Sequence, residues 1–178
     1  MRKHQMTLIS DFYKQAHAEQ YPKGMNFIAS YFTPRMSRLS EENSLIVFGI
    51  QGFIKDYLIE RFNDTFFNVP LDTILKEYER VIKHTLSHSY CEPTKIAELH
   101  SLGYLPIEIK ALKEGTKCPI KVPCIEITST KPGFEWVVQF IESIMSCQLW
   151  YPMTIANQAY KYRQIVNEYF EKTADDTA

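Results

Sequence analysis

Apolar residues along this chain recur with two periods, and the change from one to the other divides the sequence into elements. A short helix is expected to open at Asp11, with Ser10 or Asp11 as its cap, and to stop near Tyr21-Pro22. The stretch NFIASYFTPR alternates its side chains and predicts a strand that runs into a proline-terminated loop, so that Arg35 stands at the strand's end. In SLIVFGIQGFIKDYLIERF, Val47, Ile50, Ile54, Tyr57 and Leu58 return at helical spacing. The two glycines in that segment, Gly49 and Gly52, each cost a helix about 1 kcal/mol relative to alanine, which suggests close backbone packing there.

Further along, PLDTILKEYERVIKHTLS repeats Leu71, Ile74, Leu75, Tyr78, Val81, Ile82 and Leu86 as an amphipathic helix that starts with proline near its first turn, and EPTKIAELHSLG is a shorter one ending at Gly103. The period then falls to two. LPIEIKA sets Ile107 and Ile109 against Glu108 and Lys110, Glu114-Gly115 marks a turn, and VPCIEIT completes a hairpin-like pair of strands. Helical spacing returns in GFEWVVQFIESIMSCQL, and a last helix with Ile155, Tyr162, Ile165, Val166 and Tyr169 is expected after Tyr151-Pro152. This order predicts an α+β fold, a layered α/β arrangement in which helices pack on a small sheet.

Composition narrows the picture. A chain of 178 residues that is 45% hydrophobic and 13% aromatic has enough apolar surface for one core and too little length for two. Lys+Arg of 20 against Asp+Glu of 21 leaves a net charge of -1, so no global field draws the protein to nucleic acid or to an anionic membrane. Apolar runs such as Leu45–Ile50 are far shorter than the roughly 20 residues of a membrane span, and MRKHQMTLISDF lacks a secretory core, which together point to the cytoplasm. Cys91, Cys118, Cys124 and Cys147 form no CxxC pair and are read as free buried thiols. His84, His88, Cys91 and His100 match no familiar zinc spacing, and no metal site is assigned to them.

GxGxxG, Walker, HExxH and GxSxG motifs are all missing, so the chain carries no self-contained catalytic set. What draws notice is SDFYKQAH, residues 10–17, which combines an acid, two aromatics, a lysine and a histidine at a helix start. Capping accounts for Ser10 and Asp11. Tyr13 is open to two readings, a ring laid on the core or a ring offered to a ligand, and periodicity does not choose between them.

Five segments in register, SDFYKQAHAEQYP, ASYFTPR, VFGIQGFIKDYL, LPIEIKALKEG and FIESIMSCQLWYPMTIA, resemble the N-terminal part of the nicotinamide phosphoribosyltransferase family. The family's patterns are DSYKxxHxxQYP, YSYFExR, VFxGLQxxL, LPIEIKAxPEG and WxExxxxxxWYPxTxA. Phe12, Thr33 and Pro34 depart from them beside the matched positions. The resemblance implies the N-terminal domain of a type II phosphoribosyltransferase over residues 1–171, with a polar, disordered tail at 172–178.

It further implies that Tyr13 stacks on the pyridine ring of nicotinamide, that Asp11 lies at the matching acid, and that Arg35 holds phosphates of the ribosyl donor. Lys14, His17, Glu108 and Lys110 are read as packing, capping or surface residues, and Trp136, Trp150 and Tyr151 as anchors of the core or of a subunit interface. In the family the second stacking aromatic, the activating histidine and the phosphate loops belong to a barrel-like domain with no counterpart in these residues. The expected partners are therefore that barrel domain or subunit, in a homo-oligomer, with nicotinamide and phosphoribosyl diphosphate in the completed site. Magnesium is expected for the complete enzyme and none for this chain alone, which is expected to be inactive by itself. A non-catalytic binding or assembly module that keeps the fold is the alternative.

Overall fold

The computed structural model describes residues 4–38, 41–86, 91 and 93–174. It is an α+β arrangement of small antiparallel sheets under packed helices. Strand β1 (Ala29–Phe32), β3 (Ile107–Ala111) and β5 (Ile125–Ser129) form one sheet in the order β1-β5-β3. The expected pairing of LPIEIKA with VPCIEIT is present, with Ile109 opposite Ile127. It is more than a hairpin, because β5 also pairs with β1, and β4 (Lys117–Pro119), lying between β3 and β5 in the chain, pairs with β2 (Ser44–Ile46) in a second sheet.

Strand β2 corrects the expectation of helix from Ser44 onward. Ser44 and Ile46 are buried with Leu45 between them half-buried, a two-residue alternation inside what read as a helical run. The helix begins only after Gly49, whose φ of 88° places it in the left-handed region that glycine enters without steric cost. From there α2 (Ile50–Phe53) passes into wide π-helical turns over Ile54–Arg61 and Asn63–Phe67. Leu58, Phe62 and Phe66, four residues apart, face the core. The close packing expected of both glycines holds for one: a Cβ on Gly49 would lie 3.0 Å from the Pro152 ring, whereas one on Gly52 would meet nothing within 4 Å.

Helices α3 (Leu71–Thr85) and α4 (Pro93–Leu102) are present as expected; of the seven apolar positions of the first, Ile74, Tyr78 and Ile82 are buried and Leu71, Leu75, Val81 and Leu86 half-buried, while the second buries Ile96 and Leu99. Gly103 closes α4 in the left-handed conformation, its N–H reaching the Leu99 and His100 carbonyls. At the C-terminal side the helix boundaries differ from those expected. The chain breaks at Ile141, between α5 (Trp136–Phe140) and α6 (Glu142–Thr173), and α6 then runs 32 residues straight through Pro152.

A proline inside a helix costs about 3 kcal/mol, since it removes a hydrogen bond and crowds the preceding turn. Fully buried Leu149 and Met153 flank it on the core side, and their packing, with the Pro152 ring seated on Gly49, holds the helix through the breaker. Beyond Met153 the core ends. Ile155, Tyr162, Ile165, Val166 and Tyr169, the apolar stripe of the predicted last helix, are exposed. The helix includes Lys172 and Thr173, where the tail was expected to start, and residues 175–178 lie outside the described set. No helix among the described residues is long and apolar enough to cross a membrane.

Candidate functional site

The segment around Tyr13 is short and locally weak. It is a single stretch of 3-10 helix (Phe12–Ala16) followed by one turn of α1 (His17–Gln20), too brief to hold itself in water. Its position comes from the α5–α6 junction. Ser10 Oγ donates to the Phe140 carbonyl at 2.8 Å, and the Asp11 N–H donates to Ser143 Oγ at 3.1 Å. Ser143 returns its hydroxyl proton to Asp11 Oδ2 at 2.6 Å. The expected cap is thereby corrected, because these side chains bond across to the junction and neither caps the turn that follows.

On the other side of Tyr13, the Lys14 ammonium donates to the Gln139 carbonyl at 3.1 Å and to Glu142 Oε2 at 2.6 Å, with only 2% of the Lys14 side chain exposed. Gln15, also buried, donates to the Thr7 carbonyl and accepts from the Tyr78 hydroxyl at 3.1 Å. With both neighbours pinned, Tyr13 itself remains 59% exposed. Its ring centroid lies 5.1 Å from that of His17 at an interplanar angle of 59°, and the Lys14 ammonium sits 5.7 Å from its centre. His17 Nδ1 is buried beside it with no hydrogen-bond partner among the described residues.

Arg35 lies three residues beyond the last residue of β1, not at the strand's end itself, and is exposed. The loop carrying it is held by the Lys121 N–H, which donates to the Pro34 carbonyl at 2.7 Å. Arg35 lines an open groove of about 930 Å³, whose walls include Tyr31, Ile120, Glu142 and Trp150. Glu126 accepts a hydrogen bond from Tyr31 Oη at 3.1 Å and holds that phenol above its ordinary pKa. Asp11 and Tyr13 do not line the groove. The three anticipated site residues thus do not share one enclosed pocket. Asp11 bonds to Ser143 on the first turn of α6, and Glu142 on the same turn anchors Lys14, the residue after Tyr13, and lines the groove that Arg35 also lines.

Glu142 and Ser143 went unassigned in the sequence; counted back from Trp150, the acid of the WxExxxxxxWYP pattern falls on Ser143, one residue after Glu142. Trp136 is a core anchor packed edge-on to Phe140, while Trp150 and Tyr151 are exposed. The expectation of buried thiols holds for Cys118 and Cys124 but not for exposed Cys147 or half-buried Cys91. Burial, with Cys118 nearby, pushes the Cys124 thiol up to about 11. His88 lies outside the described residues, and His100 Nε2 is 2.8 Å from the Val69 carbonyl.

Comparison with known proteins places the chain in a family. The sequence profile described as "Nicotinamide phosphoribosyltransferase, N-terminal domain" matches residues 5–109. A nicotinamide phosphoribosyltransferase of Acinetobacter baylyi is 38% identical over 168 residues, covering 92% of this chain and 33% of that protein. Another from Xanthomonas campestris pv. campestris is 29% identical over 176 residues, 96% of this chain and 34% of its own length. The chain therefore spans about a third of the length of these curated relatives. In structure it is similar to human nicotinic acid phosphoribosyltransferase, with a TM-score of 0.56 at 16% identity over 84% of this chain and 27% of that one, a likeness of fold. The chain belongs to the nicotinamide phosphoribosyltransferase family, of which it carries the N-terminal domain.

Proposed function

We propose that this chain is the N-terminal portion of a cytoplasmic nicotinamide phosphoribosyltransferase of pyridine-nucleotide salvage, supplying part of a site that a barrel domain or subunit completes. The reaction joins the pyridine nitrogen of nicotinamide to the anomeric carbon of phosphoribosyl diphosphate as the bond from that carbon to the diphosphate oxygen breaks. Nicotinamide mononucleotide and diphosphate are the products. The observation that carries the reading is the exposure of Tyr13 between two pinned neighbours. A flat, uncharged ligand binds largely by stacking, and a tyrosine held in place offers its face at little entropic cost.

Arg35 is assigned to the phosphates of the ribosyl donor, because its planar fork gives parallel charge-assisted bonds that lysine does not. Asp11 is placed at the edge of the platform, where one carboxylate oxygen is already committed to Ser143. Catalysis of this kind rests on positioning and on electrostatic stabilisation. Magnesium, which offsets charge on the leaving diphosphate, is assigned to the donor's own oxygens and to the rest of the protein.

The test is nicotinamide affinity in an assembly of this chain with the remaining two thirds of the Acinetobacter relative. Tyr13→Ala is expected to weaken binding by about 1–3 kcal/mol, on the scale of base stacking, and Tyr13→Phe only slightly. Unchanged affinity in the alanine variant would remove Tyr13 from the site.

A further inference from the structure

Among the described residues, Lys121 is the one residue other than glycine with a positive φ, at 69°. It takes the third position of the turn between β4 and β5, which the Val122 N–H closes on the Pro119 carbonyl at 3.2 Å. Glycine meets a positive φ there without strain, whereas a Cβ crowds the backbone. The surroundings hold the turn in this shape. The Ile120 N–H donates to the Asn43 carbonyl at 2.8 Å, the Cys124 N–H to the Phe32 carbonyl at 2.9 Å, and the Cys118 thiol to the Val122 carbonyl at 3.5 Å.

One further bond ties this turn to the loop of Arg35. The Lys121 N–H donates to the Pro34 carbonyl at 2.7 Å, so the lysine sits against the peptide that leads into the arginine. Pro34, Arg35 and Ile120 line the open groove, and Lys121 stands at its margin, one residue on from Ile120. Neither the Arg35 guanidinium nor the Lys121 ammonium has a hydrogen-bond or ion-pair partner among the described residues. Two unpaired cations brought to one place repel each other, and an anion between them removes that cost.

The backbone gives no reason for a lysine at this position. Glycine would make the same N–H bond to Pro34 and would relieve the φ as well. What the strained position gains from this residue is therefore the ammonium group, and backbone strain of this kind gathers at ligand sites.

We propose that Lys121 is a second cation of the ribosyl-donor site, binding phosphate oxygens of phosphoribosyl diphosphate beside Arg35. The inference rests on the assignment of Arg35 to the donor. Arg35 brings a planar fork and Lys121 a point charge on a flexible stem, a pair suited to a group with several anionic oxygens.

Replacing Lys121 by glycine separates strain from charge. Lys121→Gly in the 178-residue chain is expected to melt at the temperature of the unsubstituted protein or above it, because the strained φ is relieved. In the assembly with the remaining two thirds of the Acinetobacter relative, the same variant should raise the KM for phosphoribosyl diphosphate about tenfold. Its kcat and nicotinamide KM should stay nearly unchanged, as when one charge-assisted binding contact is lost. Lys121→Met keeps the strain and loses the charge, and should raise the donor KM equally; Lys121→Arg should restore it. Inorganic diphosphate identifies the phosphate held: inhibition weakened in parallel assigns the contact to the leaving diphosphate, and undiminished inhibition assigns it to the 5′-phosphate. A donor KM unchanged in the glycine and methionine variants, while Arg35→Ala abolishes turnover, would overturn the role of Lys121 and leave that of Arg35 standing. An assembly without turnover, or one indifferent to Arg35→Ala, would overturn both.

Discussion

At the scale of single residues, the exposure of Tyr13 is decided by Gln139, Phe140, Glu142 and Ser143, more than a hundred positions away, which hold Ser10, Asp11 and Lys14 and leave the ring between them uncovered. Truncating an exposed ring removes little packing, so Tyr13→Ala is expected to leave the melting temperature of the isolated chain nearly unchanged. A buried ring would instead cost about 3–5 kcal/mol. Lys14 behaves in the opposite way, because its ammonium is desolvated. Glu142→Gln leaves that charge with the Gln139 carbonyl and a weaker neutral partner, and should lower stability to denaturant by about 1–3 kcal/mol. The thiols divide similarly. Cys147 should react with an aromatic disulfide reagent in the folded protein, and Cys124 only on unfolding. Because burial holds the folded Cys124 thiol at about 11, above the 9.0 of an unburied thiol, its contribution to stability is complete below about pH 9. It is lost as pH rises toward 11, which a pH series of melts would register.

At the scale of elements, helical spacing found α3 and α4 and alternation found β1, β3 and β5, because each buries one face with a regular period. The errors fall where tertiary contacts override local preference. Ser44–Ile46 reads as helix from its apolar spacing but is drawn into a ladder with Lys117–Pro119. Pro152 reads as a helix end, yet the helix passes through it because the ring fits against Gly49, a glycine in another element that no local rule connects to it. That junction makes a prediction at the same scale. Gly49→Ala must place a Cβ at φ 88° and 3.0 Å from the Pro152 ring, and should destabilise the protein by about 1–2 kcal/mol or more in thermal or chemical denaturation. Gly52→Ala, in open space within the helical run, should be neutral or slightly stabilising.

At the scale of the whole molecule, the α+β class followed from the order of periods, and the family from five motifs kept in register along the chain. The candidate site was only half legible, since Tyr13 lies in a short 3-10 helix and Arg35 in a loop after β1, and only the fold shows that Glu142 anchors the residue after Tyr13 and lines the groove of Arg35. Tyr13 stands exposed and Arg35 lines an open groove, with no enclosed pocket that includes both, in a chain that spans about a third of its curated relatives. The central claim is that this platform and groove are one part of a phosphoribosyltransferase site. Its most direct test is mononucleotide formation from nicotinamide and phosphoribosyl diphosphate, measured on the 178-residue chain alone and on the same chain assembled with the remaining two thirds of the Acinetobacter relative. The account predicts no turnover by the chain alone, turnover by the assembly, and its loss when Tyr13 or Arg35 is replaced by alanine. Robust turnover by the pure chain, or an active assembly indifferent to both substitutions, would contradict it.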